Sequence, residues 1–293
     1  MIRIRITGLA LVAVFAMSAV AVSSASAAKN GPHWLSSSFG GECIEPTTTK
    51  KWEFETKAKC EAGTPIITTG NWEKILGAGE TRKITFTSGV TKLKTASDLI
   101  ECEKDKGTGE IIGGWPGTDK ATITFEKCNV TKPALGCEVR SVGQEKFGTI
   151  VVSVNTELVY TGTKTQAEHE EQPLGILFKS VGAGNKKFVE LEFNGLCALE
   201  GTKKVVEATG EEHGPGIAGK AGVVCKIVEP AEANKVVHEI ECVEKAQQKF
   251  FYWEGGVIKE GKAELKLSGE VAEQIGSAKI ELESKKEYAA TGK

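Results

Sequence analysis

Histidine is scarce in this 293-residue chain, and no two cysteines sit close together. The four histidines, His33, His169, His213 and His238, are scattered. His169 lies in "AEHEEQ", which begins like the H-E-x-x-H zinc motif but has no second histidine. Zinc sites need near neighbours such as C-x-x-C. The tightest cysteine spacing here is Cys128 to Cys137, so no metal site is expected. The sequence also lacks the G-x-S-x-G elbow of serine hydrolases. "GTGEIIGG" has neither the lysine nor the following helix of a phosphate-binding loop, and "EKDKGTGE" lacks the alternating oxygen ligands of a calcium loop. No cofactor is implied. Charge of one sign is missing too. The formal net charge is −2, and no basic patch or polybasic segment of the kind that binds nucleic acid or anionic membrane is present.

One apolar run does exist, at the N-terminus. "MIRIRITGLALVAVFAMSAVAVSSASA" carries Arg3 and Arg5, then about 14 apolar residues, then Ala25-Ser26-Ala27 in the A-x-A pattern. This is the pattern of a secretory signal peptide over residues 1–27, too short to span roughly 30 Å of hydrocarbon. Cleavage leaves residues 28–293 with 35 basic and 39 acidic side chains, a charge of −4. No membrane span is expected after cleavage, and the expected location is secreted, extracellular. The mature part is long enough for one large β-domain or two small β-modules.

Its patterns are those of strands. "KITFTSG", "ATITFEKC", "FVELEFNG", "KAELKLSG" and "AKIELES" alternate apolar and polar residues, so that Leu191, for instance, faces inward and Glu190 outward. Such alternation describes antiparallel sheets with one buried face. "GTIVVSVNTELVYTG" is more continuously apolar and reads as a central strand pair bent at Asn155-Thr156. "LIECEKDKGTGEIIG", Leu99 to Gly113, reads as a hairpin turning on its glycines. Ile-Glu-Cys occurs at 100–102 and again at 240–242, a three-residue echo that reads as coincidence before duplication. The expected fold is an antiparallel β-sandwich, jelly-roll-like or Greek-key.

Eight cysteines, all in the mature part, read as disulfides. They allow 105 pairings, among which sequence does not choose. Neighbours flanking plausible turns suggest Cys43–Cys60, Cys128–Cys137 and Cys225–Cys242, leaving Cys102–Cys197. Of the tryptophans, Trp34, Trp52, Trp72, Trp115 and Trp253, most read as packing residues. Trp115, in the turn "GGWPG", is the candidate ligand platform. Asn129-Val130-Thr131 matches a glycosylation sequon. The 39 acidic residues offer carboxylate pairs for glycoside hydrolysis, but none is marked and no catalytic residue can be named.

"GPHW" after the signal, "IEC…GTGEI", "TITFEKC" with a following cysteine, "GTIVV…ELVY" and "LGILF…FVELEFNGLC" together resemble a group of secreted, cysteine-containing, β-rich proteins of soil actinobacteria. The resemblance covers most of the mature chain and implies an extracellular address, with no activity to carry over. The reading that follows is a secreted or envelope-associated, non-enzymatic protein that binds an extracellular ligand, carbohydrate or protein. The alternative is a secreted polysaccharide hydrolase.

Overall fold

A computed structural model describes residues 31–36, 43–44, 60, 73–133, 136–164, 173–182, 184–195, 198–211, 219–228, 235–242, 247–254 and 257–292. Residues 1–27, expected from the sequence to be a signal peptide, and Trp52, Trp72, His169, His213 and Cys197 lie outside them. The described chain is all-β and antiparallel, in a sandwich-like layout. In chain order its strands are β1 (His33–Leu35), β2 (Cys43–Ile44), β3 (Glu73–Lys74), β4 (Thr81–Ser88), β5 (Thr91–Lys94), β6 (Leu99–Cys102) and β7 (Lys104–Ile112). Next come β8 (Thr118–Glu126), β9 (Asn129–Lys132), β10 (Cys137–Ser141), β11 (Thr149–Tyr160), β12 (Leu174–Lys179), β13 (Lys187–Asn194) and β14 (Lys203–Ala208). The last are β15 (Ala221–Ile227), β16 (Val237–Cys242), β17 (Gln247–Glu254), β18 (Val257–Leu267), β19 (Glu270–Leu282) and β20 (Ala289–Thr291).

Hydrogen-bonded pairing closes on itself twice. The first ring runs β4-β7-β8-β11-β12-β15-β16-β19 and back to β4. The second runs β5-β6-β9-β10-β13-β14-β18-β19 and back to β5. β19 belongs to both: residues 270–275 pair in the second ring and 276–282 in the first.

Strict alternation fills each ring. Ile84 and Phe86, Ile280 and Leu282, and Val154, Leu158 and Tyr160 point into the first, around Trp34. Val189, Leu191 and Phe193, with Leu265, Leu267 and Val139, fill the second. Leu191 is fully buried and Glu190 is half-buried, as the pattern "FVELEF" predicts. β17 and β18 form a hairpin whose Phe250 and Ala263 pack with Val159, Leu177 and Val224 on the outer face of the first ring. The side chain of Gln248 accepts from Val224 N–H at 2.6 Å and donates to Val224 C=O at 2.8 Å, standing in for a neighbouring strand. The ribbon β1–β20 brings Trp34 and Ala290 to the first ring.

Two local readings need correction. "LIECEKDKGTGEIIG" is not a hairpin: β6 and β7 belong to different rings and do not pair, and the chain changes ring at Glu103. The glycines expected to turn lie within β7. A Cβ on Gly107 would sit 2.6 Å from Thr122 O, and one on Gly109 would sit 2.4 Å from Lys120 O. Their role is close approach of β8, not positive φ. Likewise 149–160 is one twelve-residue strand, not a pair bent at Asn155-Thr156. Asn155 and Thr156 stay in register with Lys120 and Asp119.

Candidate functional site

Where the first ring passes into the second lies an apolar cavity of about 140 Å³, partly open to solvent. Its origin can be followed along the inner face of β19. Ala272 belongs to the second core, Ile280 and Leu282 to the first, and between them stand Gln274, Gly276 and Ala278. The small residues Gly276 and Ala278 leave the space that Ile and Leu fill further on. Gly276 is demanded by the backbone: its φ is +148°, and a Cβ there would lie 2.8 Å from Thr91 Cγ2. Phe86, Ile123, Val152, Phe178 and Phe188 supply much of the opposing wall.

Two bulges shape that wall. Between Lys187 and Val189 the β13–β14 register shifts and leaves Phe188 without a partner in β14. Between Phe178 and Lys179 the β12–β15 register shifts and leaves Gly222 without one in β12. The two meet, since a Cβ on Gly222 would lie 2.4 Å from the Phe188 ring. Bulges re-aim side chains, and here they turn a phenyl ring onto bare backbone at the edge of the cavity.

The disulfides brace the same region. Cys102 is bonded to Cys128 and Cys225 to Cys242, with Cα atoms 4.0 and 4.2 Å apart. Cys102, Cys225 and Cys242 all line the cavity. Cys43 is bonded to Cys60. The expected Cys128–Cys137 and Cys102–Cys197 bridges are therefore overturned. β6 and β9 are ring neighbours, so Cys102 at the end of one meets Cys128 just before the other. Cys137 is itself disulfide-bonded. The Ile-Glu-Cys echo places Ile100 and Cys102 on the cavity from the second ring, and Ile240 and Cys242 from the first.

Among the lining residues two carry charge, Lys92 and Asp105. Lys92 directs its ammonium to Glu101, 2.9 Å away, its cross-strand partner. Asp105 points inward, on the same face of β7 as Gly107, Gly109 and Ile111. It is 8% exposed, and burial holds its carboxyl above the usual range, with Ser88 pulling it back only in part.

The chain matches no family model, no curated protein and no solved structure. The site has to be read from its own chemistry.

Other buried polar groups lie away from the cavity. Asp119 accepts from Thr156 Oγ1 at 2.5 Å beside Trp34, and burial pushes its pKa up to about 7 against the pull of Thr156 and Trp34. His33 is buried and its pKa is lowered to about 3 by desolvation. Glu157 and Lys179 form a fully buried ion pair at 3.5 Å on the outer face of β11 and β12, and burial raises the Glu157 carboxyl although Lys179 opposes it. His238 is buried, its Nε2 2.7 Å from Tyr288 C=O. The two described histidines are thus interior groups. Trp115 is half-buried, its ring 3.8 Å from the His33 ring and packed against Leu35, Ile75 and Ala289.

Sequence reasoning missed Asp105. The signal was present in "KDKGTGEII": Asp105 shares its alternation with two glycines and Ile111, which puts a carboxylate on the inner face.

Proposed function

We propose that the protein is a secreted or envelope-associated, non-enzymatic binding protein that holds a small apolar molecule in the cavity between its two rings. The observation that carries this is the cavity itself. Protein interiors are close-packed, with few voids larger than water. A fully enclosed space of 140 Å³ would cost about 24 cal/mol per Å³, or about 3.4 kcal/mol, the upper bound for this cavity, which is partly open to solvent. That is a large fraction of the roughly 5–15 kcal/mol by which domains are stable. A function that fills the space explains why the fold keeps it. The size fits as well, since an engineered apolar cavity of about 150 Å³ stays dry and takes up benzene or xenon. The disulfides on its wall support an oxidising compartment, and with the N-terminal signal pattern they support export.

The test uses the oxidised mature chain. Toluene should raise its melting temperature in a saturable way; at 100 times Kd the gain is about 2.7 kcal/mol. Crystals under xenon pressure should show the gas at the Phe86–Val152–Ala278 junction. No thermal shift and no xenon there would overturn the reading.

A further inference from the structure

Resting on that reading of the cavity, we propose that its ligand is an apolar amine of single-ring size, seated with its ammonium group on the Asp105 carboxylate. Asp105 is paired across the sheet with Phe125 and with Ser88, and Asp105, Phe125 and the neighbouring Ile123 all line the cavity. Ser88 Oγ accepts from the Asp105 backbone N–H at 3.2 Å, which fixes the strand at this point. Every basic side chain close by in sequence or lining is engaged elsewhere. Lys104 and Lys106, on either side of Asp105 and on the opposite face, both pair with Glu126, at 3.1 and 2.6 Å. Lys92 pairs with Glu101. Among the described residues the Asp105 carboxylate therefore has no cation of its own, although it is 8% exposed in a wall of phenyl and aliphatic groups.

A carboxylate in such surroundings is unfavourable unless a cation and hydrogen bonds compensate it. The fold supplies the apolar part of a recognition site and one acid, and leaves the cation to the ligand. Thr91, Gln274 and Ser277 are the further polar groups of the wall near the shared strand. A site built around one buried hydrogen-bonding charge rejects an isostere that lacks the complementary group. That separates a ligand ammonium from a methyl group of the same shape.

The experiment is a calorimetric titration of the oxidised mature chain with four probes of one shape: toluene, benzyl alcohol, benzylamine and benzoate. Benzylamine should bind at least about tenfold tighter than toluene, the lower end of what a charge-assisted hydrogen bond contributes, and benzoate should bind weakest. In Asp105→Asn, benzylamine and toluene should bind alike. If benzylamine is no tighter than toluene in the natural protein, or keeps its advantage in Asp105→Asn, the amine assignment is wrong. The four-probe comparison on the natural protein stands without the variant. Toluene binding with no amine preference sinks this assignment alone, whereas no binding of any probe sinks the cavity reading beneath it.

Discussion

Filling the cavity from its own wall should make the protein more stable. Ala278 lies on the inner face of β19, opposite Ser88 on one side and Ile240 on the other. Replacing it with isoleucine adds three carbons into the 140 Å³ space. At about 0.8 kcal/mol per buried carbon the transfer gain is about 2.4 kcal/mol. Ordering the new side chain takes back roughly 0.5–1 kcal/mol. A β-branched residue suits a strand, so the net expectation for Ala278→Ile is about 1.5 kcal/mol of added stability. Chemical denaturation of the oxidised chain should show a higher midpoint at an unchanged slope, and calorimetry a melting temperature higher by about 3–5 °C. The toluene shift should disappear in the same variant, because the ligand and the new side chain compete for one space. In a well-packed core, added methylenes instead cost about 1–3 kcal/mol. A loss of that size in Ala278→Ile would show that the space is already filled, and the argument from the void would fall.

Leu191→Ala should cost about 2–5 kcal/mol, as truncation of a fully buried leucine does, whereas Glu190→Ala should stay within about 1 kcal/mol, because its pairs with Lys187 and Lys203 are solvent-exposed; equal midpoints would refute the assigned strand faces. Removing the Cys102–Cys128 bridge, 26 residues apart, should cost about 3.5 kcal/mol by loop entropy, and non-reducing peptide mapping should join these two cysteines and never Cys128 to Cys137. The Asp119 pKa is raised on folding, so the folded state binds the extra proton and stability falls as pH rises from about 4 to about 7, at up to roughly 1.4 kcal/mol per pH unit. Asp119→Asn removes that loss, so its stability relative to the natural protein should improve across the same window; a pH-independent difference would show that Asp119 titrates normally. His33, lowered on folding, acts with the opposite sign and is common to both proteins.

The strand faces were legible because alternation is a local property: Leu191, Phe193, Ile84 and Phe86 are inward in the sequence pattern and inward in the fold. What alternation cannot give is which strand lies beside which. β6 and β7 are contiguous in sequence yet sit in different rings, and nothing in "LIECEKDKGTGEII" marks the change at Glu103. The same gap explains the cysteines. Proximity along the chain identified Cys43–Cys60 and Cys225–Cys242, but Cys102–Cys128 depends on β6 lying next to β9, a long-range fact. Glycine was misread for a related reason. At Gly107 and Gly109 the residue answers to the backbone of β8, which no window of the sequence around it contains. The cavity was invisible because it is made from the smallness of Gly276 and Ala278 relative to side chains on other strands.

The sharing of β19 has a consequence for how the molecule comes apart. Its backbone bonds to β18 and β5 in one half and to β16 and β4 in the other. Neither closed ring can open by losing β19 without removing a wall from its neighbour. Local openings that usually divide a large protein into separately melting units are therefore tied together along a single thirteen-residue segment. Amide protons around Ala278 to Glu281, where β19 is paired on both sides, should be among the slowest to exchange with deuterium, and the chain should lose both cores in one transition.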